Sequence, residues 1–137
     1  MKKILNKPEN FVDEMVEGIL YAYPDKIMPL NEDKRVILNK TKKDNKVGIV
    51  TAGGSGHLPV FLGYVGDGML DGCAVGNVFA SPSANKMYEM IKACNFGKGV
   101  LCLYGNYGGD KLNFEMAMSM AEMDGIQVKE IRVMDDI

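Results

Sequence analysis

The side chains best suited to chemistry in this sequence lie at residues 52–59, which read Ala-Gly-Gly-Ser-Gly-His-Leu-Pro. They include three glycines, a serine and His57, the only histidine of the 137 residues. The apolar segment 47–51 precedes them and another apolar segment follows, an order typical of a strand, a tight turn and a helix. Glycines let a ligand approach the backbone closely, and free N–H groups at a helix start favour an oxyanion. For one such turn alone, a plain strand–helix connection with an exposed histidine is an equal alternative.

Two later loops repeat this design, because each lies between an apolar strand pattern and an amphipathic helix pattern. Ser81 before Pro82 predicts the N-cap and first residue of the second helix. Asp110 is the candidate N-cap of the third helix, and Gly125 fits its C-terminal stop. The predicted units are strand 47–51, loop 52–57 and helix 58–65; strand 70–75, loop 76–82 and helix 83–94; and strand 99–104, loop 105–110 and helix 111–123.

The rest of the pattern completes the predicted fold. Apolar residues at helical spacing predict a helix over 9–22, and short apolar runs predict strands at 35–39 and 128–133. Strands that alternate with helices predict an α/β fold with a mainly parallel sheet and helices on both of its faces. The length favours one domain, 1–137.

The three loops are expected to meet at one place. Loops that follow parallel strands leave the sheet at its carboxyl edge, where ligands bind. Loops 52–57, 76–82 and 105–110 should therefore lie side by side. Together they would offer a glycine-lined floor, the imidazole of His57 and the carboxylate of Asp110. This arrangement predicts a pocket for a small polar ligand.

Several named motifs do not fit the sequence. Residues 53–57 are similar to the GxSxG nucleophile elbow, but His57 replaces the last glycine and no second histidine is present to act as base. The Walker A pattern and the dinucleotide pattern GxGxxG are both absent. The sequence therefore disfavours a serine hydrolase and a nucleotide held by these loops.

Composition disfavours other classes of function. The net charge of −2 gives no support for nucleic-acid binding. No apolar run approaches the roughly 20 residues of a membrane span, and the first residues lack the apolar core of a signal peptide. Three cysteines without CxxC spacing and a single histidine predict no metal site. Cys73, Cys94 and Cys102 lie in apolar surroundings and are expected to be buried thiols of a cytoplasmic protein.

Four segments carry a more specific signal, and they are 53–57, 63–70, 78–82 and 106–115. In this order and spacing they resemble the signatures of the substrate-binding subunit of the dihydroxyacetone kinase family. The resemblance extends over nearly the whole chain, and four linked motifs are more specific than one glycine-rich loop. It implies an α/β fold that binds a short ketose, chiefly dihydroxyacetone, for phosphorylation of a terminal hydroxyl.

The resemblance also implies roles for loop residues. Gly54, Ser55 and Gly56 would contact the ketose, and His57 would form a hydrogen bond with it. Asp110 matches the family carboxylate that binds the reacting hydroxyl and accepts its proton, which is reasonable for a carboxylate within reach of an alcohol. His57 could share the role of base. The structural alternatives are that Asp110 is only a helix cap and His57 only a loop anchor.

Two positions depart from the family pattern. Leu58 stands where the family usually has glutamate. Gly105, a predicted substrate-binding position, stands where many members have a lysine, so this chain lacks a cation there. Both departures leave a different short ketose, such as a tetrulose, as an alternative substrate.

One feature of the family is missing from these residues. The family binds the ketose covalently through a histidine in its second half, whereas the single histidine here is His57. We therefore expect 1–137 to be the amino-terminal, ketose-binding part of a longer subunit, as a fragment, a split gene product or a truncated protein, and to be inactive alone. The resemblance implies a homodimer, with ATP or ADP and Mg²⁺ on a separate helical domain or subunit. Some relatives bind dihydroxyacetone only to regulate transcription, which is the non-catalytic alternative.

Overall fold

A computed structural model describes residues 3–41 and 43–134 of the chain. Its strands are β1 (Ile27–Pro29), β2 (Val36–Asn39), β3 (Lys46–Gly54), β4 (Gly72–Gly76), β5 (Gly97–Gly105) and β6 (Val128–Val133). Its α-helices are α1 (Phe11–Ala22), α2 (Ala84–Ala93) and α3 (Gly108–Met123). Short 3₁₀ turns occur at Pro8–Asn10, Ser55–His57 and Leu62–Tyr64. The strands form one sheet in the order β1-β2-β4-β3-β5-β6.

The sheet is mainly parallel, as the alternation of strands and helices predicts. β3 pairs in parallel with β4 and β5, and β5 pairs in parallel with β6. β2 pairs antiparallel with β4, and β1 pairs antiparallel with β2 at the sheet edge. The sequence pattern does not predict β1, because three residues ending in a proline carry little strand signal. An edge position tolerates this proline, since the missing N–H is not needed by an inner neighbour.

Helices cover both faces of the sheet, which confirms the predicted fold class. On one face Met87 of α2 and Phe114 of α3 are fully buried against Val50 and other strand residues. On the opposite face Val16 of α1 is buried with Cys73 of β4. Each fully buried apolar side chain of this size stabilises the fold by about 1.5–3 kcal/mol. Among the described residues no helix is long and apolar enough to cross a membrane.

The predicted helix 58–65 is wrong. β3 continues to Gly54 because Gly53 and Gly54 pair with the end of β4. The chain then forms the two 3₁₀ turns at Ser55–His57 and Leu62–Tyr64. Phe61, between them, has a φ of 70°, which lies outside the helical region. A proline and a glycine within eight residues also lower the helix propensity of this segment.

Two predicted N-caps are also wrong, whereas the C-terminal stop is correct. Ser83 caps α2, and its hydroxyl accepts a hydrogen bond from the Lys86 N–H at 3.4 Å. α3 begins at Gly108, so Tyr107 is its N-cap and Asp110 lies within its first turn. The Gly-Gly pair before Asp110 adopts helical geometry, which starts the helix earlier than the side-chain pattern indicates. Gly125 has a φ of 78° after α3, as expected for a helix-ending glycine.

Candidate functional site

The topology creates a crevice between the carboxyl ends of β3 and β5. The segment after β3 crosses the α1 face, where Phe61 and Leu62 are buried with residues of α1. The segment after β5 is α3, which covers the opposite face. Neighbouring strands whose connections leave to opposite faces form a switch point, and α/β proteins bind ligands outside such points. His57 follows β3 and Asp110 follows β5, so both belong to this crevice.

The turn after β3 is fastened to the loop after β4. The backbone N–H of Ser55 donates to the Asn77 carbonyl at 3.1 Å, and that of Gly56 donates to the Val78 carbonyl at 2.7 Å. A Cβ atom on Gly56 would lie 2.5 Å from the same Val78 oxygen, and one on Gly54 would lie 2.8 Å from it. Both distances are shorter than any real Cβ contact. These two glycines are therefore required by the contact between the loops, whatever a ligand adds.

His57 lies where aromatic side chains from three segments meet. Its ring centroid is 5.8 Å from that of Phe61, 6.5 Å from that of Phe79 and 5.6 Å from that of Tyr107. The Phe61 and Phe79 rings stand nearly perpendicular to the imidazole. The imidazole itself is solvent-exposed. The surrounding rings restrict its position while leaving it within reach of a ligand.

Asp110 is only 5% exposed, and its Oδ1 accepts a hydrogen bond from the Ser81 hydroxyl. Burial raises the pKa of the Asp110 carboxyl above its usual range. The Ser81 hydrogen bond and the nearby His57 imidazole both oppose that rise in pKa. Desolvation of this kind makes a carboxylate a better proton acceptor than one in water.

Ser55 contributes a hydroxyl with no protein partner. Its side-chain oxygen is buried, and within the described residues it is the one buried side-chain nitrogen or oxygen without a hydrogen bond. Buried polar atoms are nearly always paired, so each exception needs an explanation. A hydroxyl left open beside the loop 76–82 is suited to a polar ligand.

The sequence matches the Dak1 domain over residues 17–137. The chain belongs to the Dak1 family. This confirms the family that the four linked motifs indicate.

Several relatives of this Dak1 chain are kinases or parts of kinases, and one similar structure is that of a dihydroxyacetone kinase operon co-activator, with a TM-score of 0.85 and 35% identity over 90% of this chain and 38% of that one. The dihydroxyacetone-binding subunit of a PTS-dependent dihydroxyacetone kinase from Lactococcus lactis is 47% identical over 136 residues, which are 99% of this chain and 41% of that subunit. An L-erythrulose kinase from Pectobacterium atrosepticum is 39% identical over all of this chain and 23% of its own length. The crystal structure of the dihydroxyacetone kinase from C. freundii with AMP-PNP and Mg²⁺ matches 99% of this chain and 26% of that one, with a TM-score of 0.92 and 33% identity. The chain thus spans well under half the length of these relatives.

The two positions that depart from the family pattern lie in different parts of the Dak1 fold. Gly105 ends β5, and a Cβ there would lie 3.0 Å from the Tyr107 ring. Gly105, Tyr107 and His57 line a cavity of about 390 Å³ on the crevice. Leu58 instead lines a cavity of about 800 Å³ that extends towards α1. The structure therefore brings Gly105 towards His57 and turns Leu58 away from this cavity.

Among the described residues of this Dak1 chain, no side-chain cluster is suited to hold Mg²⁺. Mg²⁺ is usually held by carboxylates together with phosphate oxygens. Asp110 is enclosed and bound by Ser81. In the described parts of the chain, no three His, Cys, Asp or Glu side chains are grouped as a metal site requires.

Three features of the site are not predicted from the sequence. Ser81 bonds Asp110 and does not cap a helix, while Phe79 and Tyr107 flank His57 from two different loops. A serine before a proline indicates a helix start as readily as a side-chain partner, so the sequence gives no signal for the bond. Phe79 offers one clue in the sequence, because it is a large apolar residue within the predicted loop 76–82.

Proposed function

We propose that this chain is the ketose-binding part of a dihydroxyacetone kinase and presents the terminal hydroxyl of a short ketose for phosphoryl transfer. The observation that carries the proposal is the buried carboxylate of Asp110, with one oxygen bound by Ser81, in the same crevice as His57. The name of the Lactococcus lactis relative supports dihydroxyacetone as the ligand.

Within the first loop, we assign ligand binding chiefly to side chains. The N–H groups of Ser55 and Gly56 already donate to the loop after β4, and Gly54 packs against that loop. The open Ser55 hydroxyl and the exposed His57 imidazole are the polar side-chain groups of this turn. Ser55 would hold a ketose oxygen, and His57 would orient a second one. Gly54 and Gly56 would shape the floor.

Asp110 acts on the hydroxyl to be phosphorylated. Its carboxylate would accept the hydrogen bond of that hydroxyl and take its proton as the oxygen attacks the phosphorus of the donor, while the bond between that phosphorus and the rest of the donor breaks. His57, which lies near enough to lower the pKa of Asp110, is the second candidate for the base. Holding the alcohol at a fixed angle supplies a further part of the rate, because the reacting oxygen is aligned before the donor arrives.

The partners and setting follow from the same proposal. Residues 1–137 form the amino-terminal part of the substrate subunit, and the part with the covalent histidine lies in the remainder of the relatives' length. The phosphoryl donor, ATP or ADP with Mg²⁺ or a phosphotransferase protein, binds on a separate helical domain or subunit. We further propose a homodimer in the cytoplasm.

A tetrulose is the second candidate substrate. Gly105 leaves the side of the crevice next to Tyr107 without the lysine that many family members have there. A relative named as an L-erythrulose kinase aligns with the whole chain. A longer ketose would have room in the cavity of about 390 Å³ beside Gly105.

The test joins residues 1–137 to the part of the Lactococcus lactis subunit that lies beyond the match and adds that kinase's own phosphoryl-donor partner. Turnover of dihydroxyacetone or erythrulose is expected, and the ratio of their kcat/KM values ranks the two ketoses. The intact Lactococcus subunit is the matched control for the donor. A folded chimera that binds ketose without turnover would support a regulator, and one that neither binds nor turns over would overturn the proposal.

The 137-residue chain alone should bind ketose weakly and reversibly. After incubation with dihydroxyacetone and mild reduction, intact-mass analysis should show no specific adduct. A stoichiometric adduct mapped to His57 would contradict its assignment as a hydrogen-bonding residue.

A further inference from the structure

The loop after β4 connects the two halves of the crevice. At one end, the carbonyls of Asn77 and Val78 accept the backbone N–H groups of the turn that holds His57. At the other end, the Ser81 hydroxyl donates to Asp110, and the Pro82 carbonyl accepts from the Asn113 side chain at 2.8 Å. The loop therefore fixes the position of Asp110 relative to that of His57.

The attachment to α3 is specific in its geometry. Asp110 and Asn113 are three residues apart and lie on one side of the helix. Asp110 accepts a hydrogen bond from the Ser81 hydroxyl, and the Asn113 side chain donates one to the Pro82 carbonyl. A Cβ on Gly109 would lie 3.4 Å from that of Ser81, an ordinary van der Waals contact, so the loop lies against this turn of α3. Two bonds one turn apart prevent the loop from pivoting on the helix.

Among the described residues, the one hydrogen bond of the Ser81 hydroxyl is the one to Asp110. Ser83 supplies the N-cap of α2, so the serine next to Pro82 is not needed for that helix. Ser81 is only partly buried, and a hydroxyl there could face water at little cost. It instead donates to the one carboxylate that the proposed reaction uses.

We propose that Ser81 is a positioning residue that binds Oδ1 of Asp110 and leaves Oδ2 to receive the ketose hydroxyl; this inference rests on the proposed function. A carboxylate can turn about its last torsion and offer either oxygen. A donor fixed on Oδ1 selects one orientation. The same donor stabilises the ionised form, which is the form able to accept a proton.

The electrostatic surroundings agree with this role. Burial raises the pKa of Asp110, and the Ser81 hydrogen bond opposes it more than His57 does. Cys73 of β4 is a titratable group near Asp110; burial raises the pKa of its thiol, and the charge of Asp110 raises that pKa further. Lys111, next in the helix, is 3.9 Å from Glu115 instead. The Ser81 hydrogen bond thus favours the ionised form of the buried carboxyl.

The first experiment needs no kinase activity. The Asp110 carboxyl is titrated by ¹³C NMR in the 137-residue chain and in the variants Ser81→Ala, Ser81→Thr and Ser83→Ala. Ser81→Ala should raise the Asp110 pKa, Ser81→Thr should restore it, and Ser83→Ala should leave it unchanged although it removes a helix cap. An unchanged pKa in Ser81→Ala, or no rescue by threonine, would overturn the proposal. If Ser81→Ala melts too early to titrate, Ser81→Cys, with its weaker donor, should give a smaller rise.

The second experiment uses the active chimera described above. Ser81→Ala should lower kcat by about tenfold, equivalent to one lost hydrogen bond, and move the acidic limb of the kcat profile to higher pH. KM should change less than kcat. A purely structural role would lower the melting temperature without moving the pH limb, and that result would overturn the inference. A shifted pKa in the isolated chain with an inactive wild-type chimera would instead contradict the proposed function.

Discussion

Two aspartates are buried at opposite edges of the same sheet, and the protein treats them differently. Asp71, at the amino edge, is 2% exposed, and its carboxylate accepts the Lys46 ammonium at 2.7 and 3.0 Å and the Ile49 N–H at 2.9 Å. Asp110, at the carboxyl edge, is 5% exposed and has Ser81 as its hydrogen-bond donor, with no ammonium or guanidinium paired to it in the described residues.

The contrast separates a carboxylate paired with an ammonium from one held by a single hydroxyl. A buried charge is normally paired and fully hydrogen-bonded, because desolvation otherwise costs several kcal/mol. Asp71 follows that rule. Asp110 departs from it at the edge where α/β proteins bind ligands, and departures from local rules tend to lie at functional sites. Changes at the two positions should therefore affect different properties.

The largest effect is expected for Asp110→Asn in the active chimera. Loss of the anionic acceptor should lower kcat by roughly 10²-fold or more, the usual range for a general base. Stability should change by at most about 1 kcal/mol, because the asparagine oxygen still accepts from Ser81. Steady-state kinetics with matched thermal melts would measure both. Near-normal turnover, or activity lost only through unfolding, would make Asp110 a structural residue like Asp71.

Asp71→Asn should show the opposite behaviour. It leaves the Lys46 ammonium without its anion, and the expected loss of stability is about 2–3 kcal/mol in urea unfolding. The loss is below that of a fully buried pair because the Lys46 side chain is 36% exposed. Asp67→Asn is the matched control, since Asp67 pairs with Lys43 at 3.0 Å but is 67% exposed, and its unfolding midpoint should hardly move. Equal effects at the two positions would remove the distinction between a buried and an exposed pair.

Gly56→Ala tests whether the crevice depends on contact between its loops. The new methyl group would lie 2.5 Å from the Val78 carbonyl oxygen, so one loop must shift, at a cost of about 1–3 kcal/mol. Gly66→Ala is the control, because no atom lies within 4 Å of a Cβ there. In the chimera, KM for the ketose should rise with Gly56→Ala and stay constant with Gly66→Ala. Equal stability of the two variants would show that the first loop does not need its glycine.

The sheet and the family are readable from the sequence because they depend on repeated signals. Apolar strands that alternate with amphipathic helices predict β3 to β6, α2 and α3, and the order of four motifs indicates the family. The conformation of the segment after β3 is not predicted from the sequence, since Phe61 has a positive φ and is buried with residues of α1 and the sheet. The pattern of apolar residues in 58–65 does not reveal that packing.

The glycines and Ser81 show a second limit of sequence reasoning. A glycine-rich turn predicts the close approach of another group to the backbone but does not identify that group. At Gly54 and Gly56 the group is the loop after β4. Ser81 lies 29 positions from Asp110, so nothing local reveals their bond. Composition and spacing thus place the chemistry at the right edge of the sheet, whereas the partners of each group depend on tertiary contacts.

The smallest expected effect is on the pH dependence of stability, and it again distinguishes the two aspartates. Folding raises the pKa of Asp110 above its unfolded value of about 3.9, so the native state binds more protons in that window. The stability that the shifted pKa of Asp110 contributes to the wild-type chain is therefore present at low pH. It is lost as pH rises from the unfolded pKa through the folded pKa, and the loss is complete above the folded pKa. Asp110→Asn lacks this term, so its stability relative to wild type should rise over the same window and then level. Urea unfolding of the 137-residue chain at closely spaced pH values would measure the difference, and a difference that is flat or falls with pH would mean that burial does not raise the pKa of Asp110.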